Sequence, residues 1–93
     1  PGGPDAMMKF LKENLKFPSI CAENGIQGRV VVSFVVNKNG SIEQVEVLSG
    51  VHERLDAEAV RVVKLMPTWT PGQMQGHAVR TKFILPVTFR MAN

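Results

Sequence analysis

Three stretches of this chain alternate apolar and polar residues with the period of a β-strand. The clearest is Arg29 to Val36: Val30, Val32, Phe34 and Val36 fall on one face, and Arg29, Val31, Ser33 and Val35 on the other. β-Branched and aromatic residues occur on both faces, which predicts a central strand. Asn37-Lys38-Asn39-Gly40-Ser41 follows, with Asn and Gly available for positive φ, so a hairpin is expected. The second strand is Ile42 to Leu48. Val45 and Val47 share a face there while Ile42 is out of phase, which predicts a bulge or a late strand start. The third run, Val79 to Arg90, sets Val79, Thr81, Phe83, Leu85, Val87 and Phe89 against Arg80, Lys82, Ile84, Pro86, Thr88 and Arg90.

Two other stretches repeat with helical spacing. In Ala6 to Lys16, Met7, Phe10 or Leu11, and Leu15 share a face, Asp5 stands at the N-cap position, and Phe17-Pro18 ends the run. Ser19 to Asn24 is long enough for one further helical turn, and Gly25 to Gly28 reads as a tight turn. After Ser49-Gly50, Leu55, Ala59, Val62 or Val63, and Met66 mark a second helix, with Asp56 as its N-cap or first-turn acid and Pro67 as its stop. Met66 to Gly76 is expected to be a loop that carries the single tryptophan, Trp69. Pro1 to Pro4 reads as a linker remnant, leaving residues 5–93 as one domain of a longer protein.

These elements predict an α+β fold, a three-stranded antiparallel sheet in the order 2-1-3 with two helices packed on one face. The hairpin pairs strands one and two, and a right-handed crossover brings strand three to the other side of strand one. Strand three is then an edge, and Pro86 fits it. A proline inside a strand donates nothing to a ladder, so it belongs where its missing N–H faces outward. Residues of the same parity (Arg80, Lys82, Ile84 and Thr88) would then direct their backbone groups to the free side.

Composition narrows the function classes. The chain has 93 residues, 44% of them hydrophobic and 20% charged, as expected of one globular domain. No apolar run reaches five residues, which excludes a membrane span or a signal-peptide h-region within this stretch. One cysteine and two histidines exclude an internal disulfide framework and argue against a structural metal site. The net charge of +3 comes from scattered cations with few aromatics between them, so nucleic acid is not an expected partner.

The residues that could carry chemistry have plainer uses. Ser49, His52 and Asp56 lie close in sequence but lack a nucleophile elbow, and Cys21 near His52 or His77 reads as a small buried hydrophobe. Gly25-Ile26-Gln27-Gly28 has the form of a phosphate-clamping loop but carries no cation between its glycines. No catalysis, cofactor or metal is expected. The edge strand remains, and it supports two readings. Lys and Pro on an edge discourage self-association. The same edge can also serve as a rail to which an extended peptide adds as a further strand.

The order of these motifs resembles a known family. Gly28-Arg-Val-Val-Val-Ser-Phe-Val-Val-Asn-Lys-Asn-Gly40 with Ser41 to Ser49, Leu55 to Val63, Met66-Pro-Thr-Trp-Thr-Pro-Gly72, and Gly76 with Phe83-Ile-Leu-Pro-Val-Thr-Phe89 are similar to the TonB C-terminal domain family, most of all its Bacteroides-group members. The resemblance runs from about Phe10 to Phe89. It implies a periplasmic domain of an inner-membrane-anchored energy transducer, a protein that works with ExbB and ExbD through an N-terminal part. The domain would bind the TonB box of TonB-dependent outer-membrane transporters by β-strand addition to the last strand. That assigns partner binding to Val79, Arg80, Thr81, Lys82, Phe83 and Ile84, with pairing mainly over Arg80 to Ile84 because Pro86 interrupts the ladder. Enterobacterial relatives carry Gln-Pro-x-Tyr-Pro near the box. Here the aligned stretch is Asn14-Leu-Lys-Phe-Pro18, so Asn14 and Phe17 take that place without the glutamine's length or the tyrosine's hydroxyl. Two other readings remain open: a regulatory module of a membrane metallopeptidase-type sensor, and a dimerisation domain, since an exposed edge strand invites a homodimer.

Overall fold

The structure is a computed structural model of the 93-residue chain, and it describes residues 4–67 and 72–91. In chain order the elements are α1 (Pro4–Asn14), α2 (Ser19–Glu23), β1 (Gly28–Val36), β2 (Ile42–Ser49), α3 (Glu53–Leu65), β3 (Gly72–Met74), β4 (His77–Val79) and β5 (Thr81–Phe89). The main sheet is antiparallel with the order β2-β1-β5, so the strand richest in β-branched residues is central and β5 is an edge. This is the expected α+β architecture, with the last strand split and a short third helix added.

One face of the sheet is covered by helices. Val30, Val32, Phe34 and Val36 of β1 and Leu85, Val87 and Phe89 of β5 are buried there, against Met7 and Leu11 of α1, Cys21 of α2, and Leu55, Ala59, Val62 and Val63 of α3. Each buried aliphatic or aromatic side chain contributes roughly 1.5–3 kcal/mol, so this shared layer dominates the stability of the domain. The register places Phe34 opposite Phe83, and their rings stack with centroids 5.8 Å apart. On the other face Arg29 is exposed and Val31 half-buried, while Ser33 and Val35 are buried.

Local chemistry sets the joints between elements. α2 ends in a left-handed cap: Gly25 has φ +68°, its N–H donates to the Ala22 carbonyl, and the Ile26 N–H donates to the Cys21 carbonyl at 2.8 Å. These two bonds satisfy carbonyls that a helix end leaves open, and a residue without Cβ adopts the required φ at little cost. The β1–β2 turn is closed by Gly40 N–H to Asn37 O and Asn37 N–H to Ser41 O, while Asn39 Oδ1 accepts from the Ser41 N–H and hydroxyl. β2 then bulges. Ser33 faces Glu46 but Val35 faces Glu43, and Gln44, the extra residue, has φ +52°. The bulge explains why Ile42 and Val45 both face the helices although their spacing is odd.

The structure corrects two expectations and decides between the two readings of Asp56. The run Val79 to Arg90 is not one strand: it breaks at Arg80, leaving His77–Val79 as β4. The expected loop Met66 to Gly76 contains β3, which pairs with β4 in a separate two-stranded sheet, Gly72 opposite Val79. The N-cap of α3 is His52 rather than Asp56: its Nδ1 accepts from the Arg54 N–H at 3.0 Å. Asp56 takes the other expected role, as a first-turn acid, and accepts from the Val51 N–H at 2.9 Å, which fastens the β2–α3 connection. Trp69 falls outside the described residues, as does the Asp5 side chain.

Candidate functional site

The candidate site is the free side of β5. All nine residues of β5 pair in unbroken register with β1, from Thr81 opposite Val36 to Phe89 opposite Gly28, with Pro86 opposite Val31. Directly opposed residues of an antiparallel pair alternate between those that exchange two hydrogen bonds and those that exchange none. Pro86 has no N–H, so the Val31–Pro86 pair belongs to the second set. Lys82, Ile84 and Thr88 have the same parity. Their N–H and C=O groups therefore point away from β1, along the outer side of β5. Thr81, Phe83 and Leu85 have the opposite parity and hold the strand to the sheet.

The side chains follow the same alternation. Phe83 packs against the core, and Leu85 is buried in it. Lys82 is exposed and Ile84 is 62% exposed, the most exposed large hydrophobic residue among those described. An exposed isoleucine in mid-strand on an edge is an unused apolar contact. Pro86, two residues on, removes the outward N–H that a further ladder would use. The edge thus offers regular main-chain groups only up to Ile84.

Arg80 is placed differently from its neighbours. It lies in the break between β4 and β5, and its guanidinium reaches to the other edge of the sheet. Nε donates to Glu43 Oε1 at 3.0 Å and to Asn37 Oδ1 at 3.1 Å, and a second nitrogen meets Glu43 at 2.5 Å. Hydrogen bonds from Asn37 and then Arg80 hold the Glu43 carboxyl below its ordinary pKa. Thr81 hydrogen-bonds the Val79 carbonyl through its hydroxyl. Val79 belongs to the β3–β4 hairpin. Of the six residues expected on the last strand, the structure thus sets Thr81 to Ile84 on the edge, with Arg80 and Val79 just before it.

Phe17 and Asn14 lie near the other end of the strand. The Phe17 ring meets Phe89 edge-on, with centroids 6.0 Å apart, and the five residues from Ile84 to Phe89 span about 17 Å. The Asn14 side chain donates back to the Phe10 carbonyl, and the Asn14 carbonyl accepts from Arg61. Glu58 completes this corner: its carboxylate accepts from Arg61 twice at 2.7 Å and from the Lys16 N–H at 2.7 Å. Partial burial pushes the Glu58 pKa up, but the bonds from Arg61 and Lys16 outweigh it and the pKa is lowered overall. The effect is to lock the end of α1 onto α3 and to fix Phe17 beside β5. Asn14 and Phe17 are thus not gathered around Lys82 and Ile84.

Cys21 and His52 also have definite positions. Cys21 Sγ lies 3.6 Å from His52 Nδ1, but the thiol is fully buried and that nitrogen already caps α3. Among the described residues there is no group of three His, Cys, Asp or Glu side chains suited to a metal ion, and no helix is long and apolar enough to cross a membrane.

Residues 13–91 match the family described as Gram-negative bacterial TonB protein C-terminal. Among solved structures, the chain is similar to the solution structure of the Helicobacter pylori TonB C-terminal domain, residues 179–285 of that protein. The TM-score is 0.74 at 20% identity, over 100% of this chain and 88% of that one. A second solution structure of the same domain, residues 194–285, gives a TM-score of 0.68 at 20% identity, over 96% of both chains. Among curated proteins none matches significantly.

Proposed function

The chain is a member of the TonB C-terminal domain family, and on that premise we propose that it grips the TonB box of outer-membrane transporters by β-strand addition to the edge of β5. The observation that carries this reading is the register that sets Pro86 opposite Val31, from which the outward parity of Lys82 and Ile84 follows because proline has no N–H to give to β1. A peptide laid along this edge exchanges main-chain hydrogen bonds over Thr81 to Ile84, and Ile84 supplies an apolar contact beside them. Recognition through the main chain suits a protein that serves many transporters, because it does not depend on one side-chain sequence. The family also supports a periplasmic setting for the domain and an inner-membrane anchor for the parent protein. There ExbB and ExbD would supply energy derived from ion flow, and a pull on the box would open the transporter for uptake.

The test is a titration of the domain with peptides from the N-termini of outer-membrane transporters of the same organism. Binding should shift the backbone amides of Lys82 and Ile84, and Ile84→Pro should abolish it by removing an outward donor. Binding untouched by Ile84→Pro but lost on substitution near Val45 would place the peptide on β2 and refute the assignment. Absence of binding to every such peptide would favour a sensor module or a dimerisation domain.

A further inference from the structure

Beyond Pro86 the free side of β5 is no longer open. α1 runs beside it, and between them lies a groove of about 660 Å³. Met8, Leu11, Leu15, Phe17, Val87 and Phe89 are among its lining residues, and Lys9, Lys12 and Arg90 stand in it as cations. Among the described residues of the lining there is no carboxylate. Met8 is 54% exposed, so part of the apolar lining is left in water. The groove continues the edge described above, because Pro86 to Arg90 form one of its walls.

We infer that this groove holds a second segment of the same bound peptide, an extended stretch next to the strand-forming part that carries both large aliphatic and acidic residues. The inference rests on strand addition at β5 and says what happens where that ladder ends. Over Thr81 to Ile84 a partner is held by its main chain. At Pro86 the outward donor is missing, and the partner runs on into a channel with side-chain recognition to offer. Aliphatic residues cover Met8 and Leu15, and carboxylates meet Lys9, Lys12 and Arg90. Charge decides against other occupants. A second copy docked symmetrically would bring these cations against themselves, and a nucleic acid needs exposed stacking platforms, whereas Phe89 is buried and Phe17 half-buried here. A partner would therefore be recognised twice on one strand, by its main chain near Ile84 and by its side chains beyond Pro86.

The test uses the 93-residue chain and four synthetic peptides, read by fluorescence anisotropy and amide shift mapping. One peptide contains only the strand-forming segment. Two carry an acidic-aliphatic extension at one end or the other, and the fourth is the extension alone. One of the extended peptides should bind about tenfold more tightly than the short one, as expected from burial of one aliphatic side chain with its charges. The gain should vanish in Lys9→Glu/Lys12→Glu, two exposed positions whose substitution leaves the core intact, and should shrink at high salt. If the short peptide binds and no extension adds affinity, or the gain survives charge reversal, the groove assignment fails and strand addition stands. If the short peptide does not bind but the extension alone shifts α1 and Pro86 to Arg90 in a lysine-dependent way, the groove stands and strand addition fails. If neither peptide produces shifts, both are overturned.

Discussion

At the scale of single residues, two contacts fix the geometry of the sheet's ends. Gly50 stands so close to Asp56 that a Cβ there would collide with its carboxylate. The requirement is close approach rather than an unusual φ. Gly50→Ala should therefore destabilise the domain by about 1–3 kcal/mol in urea unfolding, as overpacking does. Asp56→Ala alone should cost about 1 kcal/mol, since it frees the Val51 N–H. The double variant should be less destabilised than the sum of the two, because the clash needs both side chains. Strict additivity would show that Gly50 is required for another reason. The second contact links Glu43, Asn37 and Arg80. A carboxylate with a lowered folded pKa adds stability that is complete above its unfolded pKa and is lost as the pH falls through the folded one. Asn37→Ala and Arg80→Ala should each move the Glu43 titration back up, read by carboxyl carbon shifts. The stability difference between either variant and the parent should narrow as the medium is acidified below the ordinary carboxylate range. A Glu43 titration unmoved by both substitutions would remove the link.

At the scale of elements, the parity of β5 makes a sharp comparison possible. Ile84 and Leu85 are neighbours, but Ile84 sends its N–H outward and Leu85 sends it to β1. Ile84→Pro should leave the β1–β5 ladder intact and change stability by less than about 1 kcal/mol, whereas Leu85→Pro should cost about 3 kcal/mol or more, by loss of a ladder bond and a buried side chain. Denaturation midpoints of the two variants decide it, and equal losses would reverse the parity. Much of this was legible before the structure, because the alternation in Arg29 to Val36 and in Thr81 to Phe89 carries both the burial and the edge assignment of Pro86. The phase slip at Ile42 likewise announced the bulge that falls at Gln44. The break at Arg80 was not legible: the alternation runs through it without changing phase, so a strand end leaves no mark there. β3 and β4 are three residues each in a segment of glycines and polar residues, too short to set a period. His52 escaped notice as a cap because histidine is not among the usual N-cap residues, while Asp56 is. The groove was not legible either, since it depends on how Glu58 ties α1 to α3, a contact between residues more than forty positions apart.

At the scale of the whole molecule, β5 has two relations to the rest of the fold that one measurement can separate. It is an edge open to a partner, and its inner face supplies Leu85, Val87 and Phe89 to the core. A peptide added to the edge binds only the folded chain, because the unfolded chain has no ordered β5 to pair with. Such a ligand raises the unfolding free energy by RT ln(1 + [L]/Kd), about 2.7 kcal/mol at a hundredfold excess over Kd. For a domain of this size that corresponds to a rise in melting temperature of about 10–20 °C. Exchange of β5 between two chains predicts otherwise. Exchange requires β5 to leave its own core first, so stability would depend on protein concentration and a peptide competing for the edge of β1 would lower the melting temperature. Thermal unfolding at several protein concentrations, with and without a transporter peptide, distinguishes the two. The expected outcome is a melting temperature independent of protein concentration, raised by the peptide in the parent chain and not in Ile84→Pro. A melting temperature that climbs with protein concentration and falls on adding peptide would make this domain a strand-exchanging dimer instead.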